Sequence, residues 1–296
     1  MKKEIKLSKQ NIKLLERIKT NKKLFKEYQD VINNEEQLKK YKSITSLIKE
    51  YVKKVYIEEQ KEKLKNNKTI KEVILGDALD NLKKMKSNFI PLVITDPPYG
   101  IDFSHSWSSQ NNIKNDSANY INEYLPLVFK ELNRIMTNDA HIYVFSSFKN
   151  YPEFVKMFEQ YFDLHNCIVW VKNNSSLCDF DKKYGFSHEF ILFGTKKGKK
   201  PTRLLQHQEG KMTKDVIFNK RVSNPDHSCQ KPIDLIEKLI LTSSFEKEIV
   251  LDPFAGSGST LIAAKNLNRN YVGIEYDEKW WALIQEKLQN IKKDKN

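Results

Sequence analysis

The sequence predicts an α/β fold, in which a sheet is covered by helices on both faces and a helical extension comes first. Three observations support it: short apolar runs alternate with amphipathic stretches, turn residues follow several of these runs, and the first 66 residues contain neither Gly nor Pro. Apolar runs that alternate with helices are typical of sheets whose strands are buried on both faces.

The predicted strands are seven apolar runs, at 73–75, 92–94, 141–145, 167–171, 189–193, 249–251 and 271–274. Helical periodicity predicts helices at 78–85, 119–136, 153–160, 233–243, 260–267 and 278–291. In sheets of this kind, ligands bind beyond the carboxyl ends of the strands. We therefore expect the functional residues to follow the strands.

The predicted extension, residues 1–70, is basic and helical. Its apolar residues recur at spacings of three, four and seven, and its 20 Lys or Arg against 10 Asp or Glu give 20 − 10 = +10. A second basic stretch, 195–221, has nine basic and two acidic residues, or +7, and breaks the strand–helix rhythm. The extension could bind DNA, contact a second subunit or pack on the main domain.

The overall composition restricts the class of protein. A formal charge of +13 favours a polyanionic partner, although a Lys-rich composition alone is an alternative explanation. The three cysteines, Cys167, Cys178 and Cys229, form neither a disulfide framework nor a paired metal-binding spacing. Without a signal-like or membrane-spanning apolar segment, the chain is expected to be cytoplasmic, with no membrane partner.

A glycine-containing turn is the first candidate site. Asp252-Pro-Phe-Ala-Gly-Ser-Gly258-Ser-Thr260 lies between a predicted strand and a helix, and Glu275 ends the next strand. Such a turn lets the backbone approach a ligand, the helix offers N–H groups, and the acidic residue can accept from ribose hydroxyls. Leu261 replaces the third glycine of the dinucleotide fingerprint. The pattern indicates a nucleoside site, with a ligand-free tight turn as the alternative.

Asp96-Pro97-Pro98-Tyr99 is the second candidate site, directly after a predicted strand. The two prolines stiffen the loop and remove two donors. The Asp96 carboxylate and the Pro97 carbonyl can then both accept from one NH2 group, while Tyr99 offers a flat face for stacking. The alternative is a rigid turn with a capping Asp.

These groups suit methylation of an amino group on a base. Accepting both hydrogens favours tetrahedral nitrogen and stabilises the positive charge that develops as the new N–C bond forms. Inside a duplex the amino group is inaccessible to such an attack, so the base must flip out.

The order of these motifs resembles the β-class amino DNA methyltransferases. In that class the catalytic motif comes first, the target-recognition region follows, and the cofactor motif comes last. Here Asp-Pro-Pro-Tyr lies at 96–99, the basic region at 195–226 and the glycine turn at 252–258. The similarity covers roughly residues 72–291. It includes His227-Ser-Cys-Gln-Lys231-Pro232, which resembles an element lining the methionine end of the cofactor.

The resemblance implies a Rossmann-like methyltransferase domain at 71–296 that uses S-adenosyl-L-methionine and no metal. A target-recognition insertion is expected at 195–226. The catalytic residues implied are Asp96, Pro97, Pro98 and Tyr99. The cofactor residues implied are Asp77, Ala78, Lys231, Asp252, Phe254, Gly256, Gly258, Thr260, Glu275 and Tyr276.

Double-stranded DNA is the partner that the resemblance implies. The DNA contacts expected are Lys172, Lys196, Lys197, Lys199, Lys200, Arg203, Lys220 and Arg221. Trp170-Val-Lys172 and Glu189 resemble the strand pair beside the target-base pocket. A homodimer and a cognate restriction endonuclease are further expectations, in a restriction-modification setting.

Four hypotheses compete for the reaction. N6-adenine methylation is the usual product when Asp occupies the position of Asp96, whereas Ser there would favour N4-cytosine methylation. Methylation of RNA or of a protein amide is the third, where relatives more often carry Asn. The fourth is a DNA-binding module that has lost activity. We adopt N6-adenine methylation as the sequence-based prediction, with N4-cytosine as the alternative.

Overall fold

A computed structural model describes residues 8–64, 69–98, 122–172, 184–199, 203–206, 212–222 and 230–291. The chain divides into two compact units, residues 1–67 and residues 68–296. Among the described residues, no helix is long and apolar enough to cross a membrane, and no group of three acidic, His or Cys side chains is placed to hold a metal.

The N-terminal unit is helical, as the periodicity predicts. Its helices are α1 (Lys9–Lys19), α2 (Lys22–Ile32), α3 (Glu35–Leu38) and α4 (Ile44–Leu64). Ser8, Asn21 and Asn34 cap the first three, because their side chains accept from backbone N–H groups of the first turn. The unit buries its own apolar core, which includes Ile18, Tyr28, Leu47, Ile48, Tyr51 and Val55.

The second unit is the predicted α/β sheet. Its strands are β1 (Lys71–Leu75), β2 (Ile90–Thr95), β3 (Met136–Ser146), β4 (Phe162–Val171), β5 (His188–Lys196), β6 (Val216–Phe218), β7 (Ile249–Asp252) and β8 (Asn270–Glu275). Its helices are α5 (Ala78–Lys84), α6 (Leu125–Ile135), α7 (Tyr151–Tyr161), α8 (Ile233–Ser243), α9 (Ser259–Asn266) and α10 (Glu278–Asn290). All seven predicted strands are present; β6 was not predicted, because it is short and lies in the basic stretch.

The sheet has the strand order β1-β8-β7-β2-β3-β5-β4-β6 within the described residues. All neighbouring pairs are parallel except those of β5, which runs antiparallel to both β3 and β4. The carboxyl ends of the other strands therefore share one edge of the sheet, which we call the catalytic edge. Strand β5 begins at that edge and ends at the opposite one. Separate apolar clusters cover the two faces.

Gly194 on β5 lies where helix α7 packs closely against the sheet. A Cβ there would be 2.7 Å from the Asp163 carbonyl oxygen and 2.7 Å from the Phe158 ring. Because one obstacle is backbone and the other a fully buried ring, we expect Gly194→Ala to lower the free energy of unfolding by about 2 kcal/mol. Urea denaturation tests this, with Gly198→Ala, whose Cβ would meet open space but whose φ is +68°, as a comparison for backbone strain alone. An unchanged midpoint for the first variant would contradict the packing.

Candidate active site

The catalytic edge gathers the predicted functional residues from distant parts of the chain. Asp96 follows β2, Asp252 ends β7, Glu275 ends β8, and Asp77 follows β1. These four strands are neighbours in the sheet, so the predicted catalytic loop lies beside the predicted cofactor turn. Pro97 and Pro98 are described, with Pro97 buried, whereas Tyr99 lies outside the described residues.

The glycine turn is held by Glu275. Gly256 and Gly258 have φ of +51° and +82°, which favours glycine at both positions. The Gly256 N–H donates to Glu275 Oε2 at 2.7 Å, and the Asp277 N–H donates to Oε1 at 2.8 Å. A Cβ on Gly258 would lie 2.9 Å from Ile284 Cγ1, so helix α10 also requires glycine there. Burial raises the pKa of Glu275, opposed by these backbone hydrogen bonds.

Asp77 has a structural role besides the one predicted. It caps helix α5, since its Oδ1 accepts from the Asp80 N–H at 3.0 Å. The Tyr124 hydroxyl donates to its Oδ2 at 2.6 Å and accepts from the Leu79 N–H at 3.0 Å. Tyr124 belongs to no sequence motif, so only the fold shows that it orients this carboxylate. The Gly76 N–H donates to the Glu275 backbone carbonyl at 2.9 Å, which joins the two loops.

The other predicted cofactor residues differ in exposure. Ala78 and Thr260 are each 5% exposed and Phe254 is half-buried, whereas Tyr276 is 57% exposed. All four lie on the loops or first helical turns that follow β1, β7 and β8. Lys231 differs from these residues, because its side chain contacts the predicted catalytic residue Asp96.

Lys231 is part of a row of charges. Its Nζ lies 2.6 Å from Asp96 Oδ2 and 3.3 Å from Glu189 Oε2. Glu189 Oε1 in turn pairs with Lys172 Nζ at 2.7 Å. Burial alone would raise the pKa of Glu189, but the Lys231 and Lys172 ammonium groups outweigh it and hold that pKa below its ordinary value. Four charged side chains from four segments thus meet at the catalytic edge.

Asp252 is a buried carboxyl beneath the turn. Burial raises its pKa to about 7, although hydrogen bonds from Thr260 and the Phe254 N–H oppose the shift, and Asp96 adds to it. A group whose folded pKa exceeds its unfolded pKa stabilises the fold fully below the unfolded value, and that contribution is lost as pH rises through the folded one.

We expect this contribution of Asp252 to fall by roughly 2–3 kcal/mol between pH 5 and pH 8. The variant Asp252→Asn keeps an acceptor oxygen for the Phe254 N–H and does not titrate. The difference in unfolding free energy between wild type and variant should therefore move in favour of the variant as pH rises. Denaturant titrations at both pH values measure it, with exposed Asp30→Asn as the control. A pH-independent difference would contradict the shift.

The predicted DNA contacts divide between the two edges of the sheet. Because β5 is antiparallel, it carries the basic stretch away from Asp96, over nine residues or about 25–30 Å. Lys196 Nζ donates to the Met136 carbonyl, at the start of β3, and Lys197 donates to the Glu159 carbonyl. Lys199 follows them in the turn. Lys196, Lys197 and Lys199 thus lie at the edge opposite Asp96, and their expected DNA contacts stay a prediction, while Lys200 lies outside the described residues.

The structure corrects the expected DNA contact at Arg203. Its side chain is 3% exposed, and its guanidinium forms two hydrogen bonds with Glu248, of 2.7 and 2.9 Å, and another with the Asp139 carbonyl. A buried arginine bound bidentately in this way holds the structure together and does not face a phosphate. The expected DNA contact at Arg203 is therefore wrong.

Lys172, Lys220 and Arg221 do lie at the catalytic edge. Lys172 follows β4, and the other two follow β6, which is parallel to β4. Lys220 and Arg221 are exposed, whereas Lys172 is engaged with Glu189. The described parts of the 195–226 segment reach both edges of the sheet, and the target-recognition role of this segment stays a prediction.

Fold and site together define an α/β protein with a nucleoside-type turn beside an acidic acceptor loop. The chain belongs to the DNA methylase family, whose match covers residues 90–286. It is therefore an amino DNA methyltransferase of the N6/N4 type, as its motifs predict.

Curated relatives agree with this family. The chain is 30% identical over 240 residues to the type II methyltransferase M.HpaI of Haemophilus parainfluenzae, covering 74% of each chain. It is 28% identical over 244 residues to the DNA adenine methyltransferase YhdJ of Escherichia coli, covering 71% of this chain and 80% of that one.

Solved structures share the fold. The M1.HpyAVI–SAM complex is 25% identical, with a TM-score of 0.58 over 74% of this chain and 100% of that one. The cytosine-N4-specific PvuII DNA methyltransferase has a TM-score of 0.61 over 75% of this chain and 92% of that one. At 17% identity, the second likeness shows the fold alone.

Proposed function

We propose that this protein transfers a methyl group from S-adenosyl-L-methionine to N6 of adenine in double-stranded DNA. The observation that carries the proposal is the position of Asp96, at the end of β2, beside the turn that Asp252 and Glu275 organise. Asp in the first position of the catalytic motif supports adenine, and a relative named as a DNA adenine methyltransferase supports it as well.

The residues at the turn fit the proposed cofactor. Carboxylates at Asp77 and Glu275 suit hydroxyl groups and positive charge, and the N-terminus of α9 offers backbone donors. The positive-φ glycines keep side chains off this loop. When bound, S-adenosyl-L-methionine supplies a methyl group activated by a sulfonium.

The protein's own residues then act on the base. The Asp96 carboxylate and the Pro97 carbonyl accept hydrogen bonds from the two amino hydrogens, which stabilises the positive charge developing on nitrogen. After the N–CH3 bond has formed and the S–CH3 bond has broken, the methylated nitrogen loses one proton to solvent. Tyr99 stacks on the flipped base, a role proposed from the sequence. The sulfonium already activates the leaving group, so the chain needs to supply no general acid.

The test is direct. Protein, tritiated S-adenosyl-L-methionine and unmethylated duplex DNA are incubated, the DNA is hydrolysed, and the labelled nucleoside is identified. We expect N6-methyl-2′-deoxyadenosine. N4-methyl-2′-deoxycytidine would overturn the choice of base and keep the reaction class. A chain that binds DNA but labels no nucleoside across varied duplexes would be a binding module without activity.

DNA binding at the catalytic edge gives a second expected result. Removing both charges in Lys220→Ala/Arg221→Ala should weaken binding and reduce the slope of log affinity against log salt by about two, because each phosphate contact contributes about one. The matched control, Lys197→Ala/Lys199→Ala, removes two charges at the opposite edge and should leave the slope unchanged. Equal effects of the two pairs, measured by fluorescence anisotropy, would contradict this placement.

Double-stranded DNA is thus the proposed partner. The homodimer and the cognate restriction endonuclease stay predictions from the resemblance. Type II methyltransferases among the relatives, such as M.HinfI of Haemophilus influenzae, support a restriction-modification setting.

A further inference from the structure

The row of charges at Asp96 differs from a surface ion pair, because Lys231 is held by contacts of both its side chain and its backbone. Lys231 Nζ is shared between two carboxylates and lies 5.1 Å from the centre of the buried Phe145 ring. The Lys231 backbone carbonyl accepts from the Ser259 hydroxyl at 2.8 Å, at the first residue of α9. Both ends of this residue are therefore anchored, its backbone to the glycine turn and its ammonium to the acceptor loop.

We propose that Lys231, held by Glu189, positions the Asp96 carboxylate for methyl transfer, and that Lys231 and Glu189 are positioning residues of the reaction. The inference rests on the proposed function, and it assigns Lys231 a role different from the cofactor contact that the resemblance implies. It gives Glu189 a role that acts through Lys231.

Electrostatics show why Asp96 needs such a partner. Asp96 stabilises the positive charge developing on the amino nitrogen only when its carboxyl group is ionised, and it lies close enough to Asp252 for the two carboxylates to interact. Like charges favour protonation of one member, whereas an ammonium within hydrogen-bonding distance favours the ionised form. Among the described residues, the Lys231 ammonium contacts Asp96 directly, Glu189 on β5 contacts that ammonium, and Lys172, which follows β4, contacts Glu189.

Glu189 prevents Lys231 from adding net charge. The row of Lys172, Glu189, Lys231 and Asp96 contains two cations and two anions, so it sums to zero. An uncompensated ammonium would oppose both a cationic methyl donor and the charge developing on the amino nitrogen. Glu189 offsets it and fixes its place, while Lys172 satisfies the other oxygen of Glu189.

The experiment compares Lys231→Met, Lys231→Arg and Glu189→Gln with wild type. Glu131→Gln is the matched control, because Glu131 is 16% exposed against 23% for Glu189 and pairs with Arg134 on helix α6, outside the site. For each protein, kcat is measured against pH, the Kd of S-adenosyl-L-methionine is measured by calorimetry, and a thermal melt confirms folding.

In Lys231→Met we expect kcat at pH 7 to fall at least tenfold, with the acid limb of the profile displaced upward by about one pH unit. Activity should recover as pH rises, and the cofactor Kd should change less than threefold. Lys231→Arg should restore most of the wild-type profile, and Glu189→Gln should show a smaller displacement in the same direction. The Glu131→Gln profile should match wild type.

An unmoved acid limb in folded Lys231→Met, or a loss confined to cofactor Kd, would overturn the inference. A second readout does not depend on turnover. Carboxyl ¹³C NMR follows the titration of Asp96, identified by the signal that Asp96→Asn lacks, and Lys231→Met should raise its midpoint. An unchanged midpoint would overturn the inference even in an active enzyme. A raised midpoint in Lys231→Met, together with a wild-type protein that methylates no DNA, would instead overturn the proposed function and leave the pairing standing.

Discussion

Replacing Asp96 by Ala is expected to lower kcat for DNA methylation by about 100- to 1,000-fold. The variant keeps the glycine turn and Glu275, so it should still bind S-adenosyl-L-methionine. Its Kd should rise, because Asp96 no longer offsets the Lys231 charge, but far less than kcat falls. The physical reason is that the carboxylate acts on charge that appears only as the amino nitrogen attacks. Single-turnover methylation assays measure the first quantity, and calorimetry measures the second.

The control for Asp96→Ala is Asp30→Ala, which removes an exposed carboxylate in the N-terminal unit. It should leave kcat within twofold of wild type. If Asp96→Ala lost cofactor binding and its turnover with saturating cofactor were normal, Asp96 would belong to the cofactor site and its catalytic role would be wrong.

Glu275→Gln is expected to weaken cofactor binding by about 10- to 100-fold. In the wild type each carboxylate oxygen accepts one backbone N–H, from Gly256 and from Asp277. A glutamine amide has one acceptor oxygen, so its NH2 group would face one of these donors. The turn should then open, and the acceptor proposed for the ribose hydroxyls would lose its charge.

Isothermal titration with S-adenosyl-L-methionine measures this loss. Glu278→Gln is the control, since Glu278 is exposed three residues further along. Turnover of Glu275→Gln at saturating cofactor should approach that of wild type, unlike Asp96→Ala. Cofactor affinity equal to wild type in Glu275→Gln would show that the ligand does not depend on this turn.

Local patterns were sufficient for most of the fold. Strands such as 92–94 and 249–251 are continuous apolar runs, and these two form buried neighbours in the centre of the sheet. Asp96, Gly256 and Glu275 could be assigned because each follows or ends such a strand. The sequence signal is strong there because the positions of a buried strand favour apolar residues, and because a position with positive φ favours glycine.

The tertiary structure was needed where the direction of a strand, or the partner of a charged side chain, decides where a residue acts. The basic residues Lys196, Lys197 and Lys199 look like a recognition surface in the sequence, yet the antiparallel direction of β5 takes them to the edge opposite Asp96. Burial beside Glu248 turns Arg203 from an expected phosphate contact into part of the core. The number of charged residues can be counted in a sequence, but the edge of the sheet at which they lie depends on strand pairing.

The amino-acid sequence by itself determined the class of fold, the position of the two candidate loops and the family to which the chain belongs. Only the tertiary structure placed the Lys231 ammonium on Asp96, 231 − 96 = 135 positions away, with Glu189 beside it. The physical reason is that a local sequence motif depends on the backbone conformation of neighbouring residues. An ion pair between distant segments depends on the order of strands in the sheet, which no local pattern records.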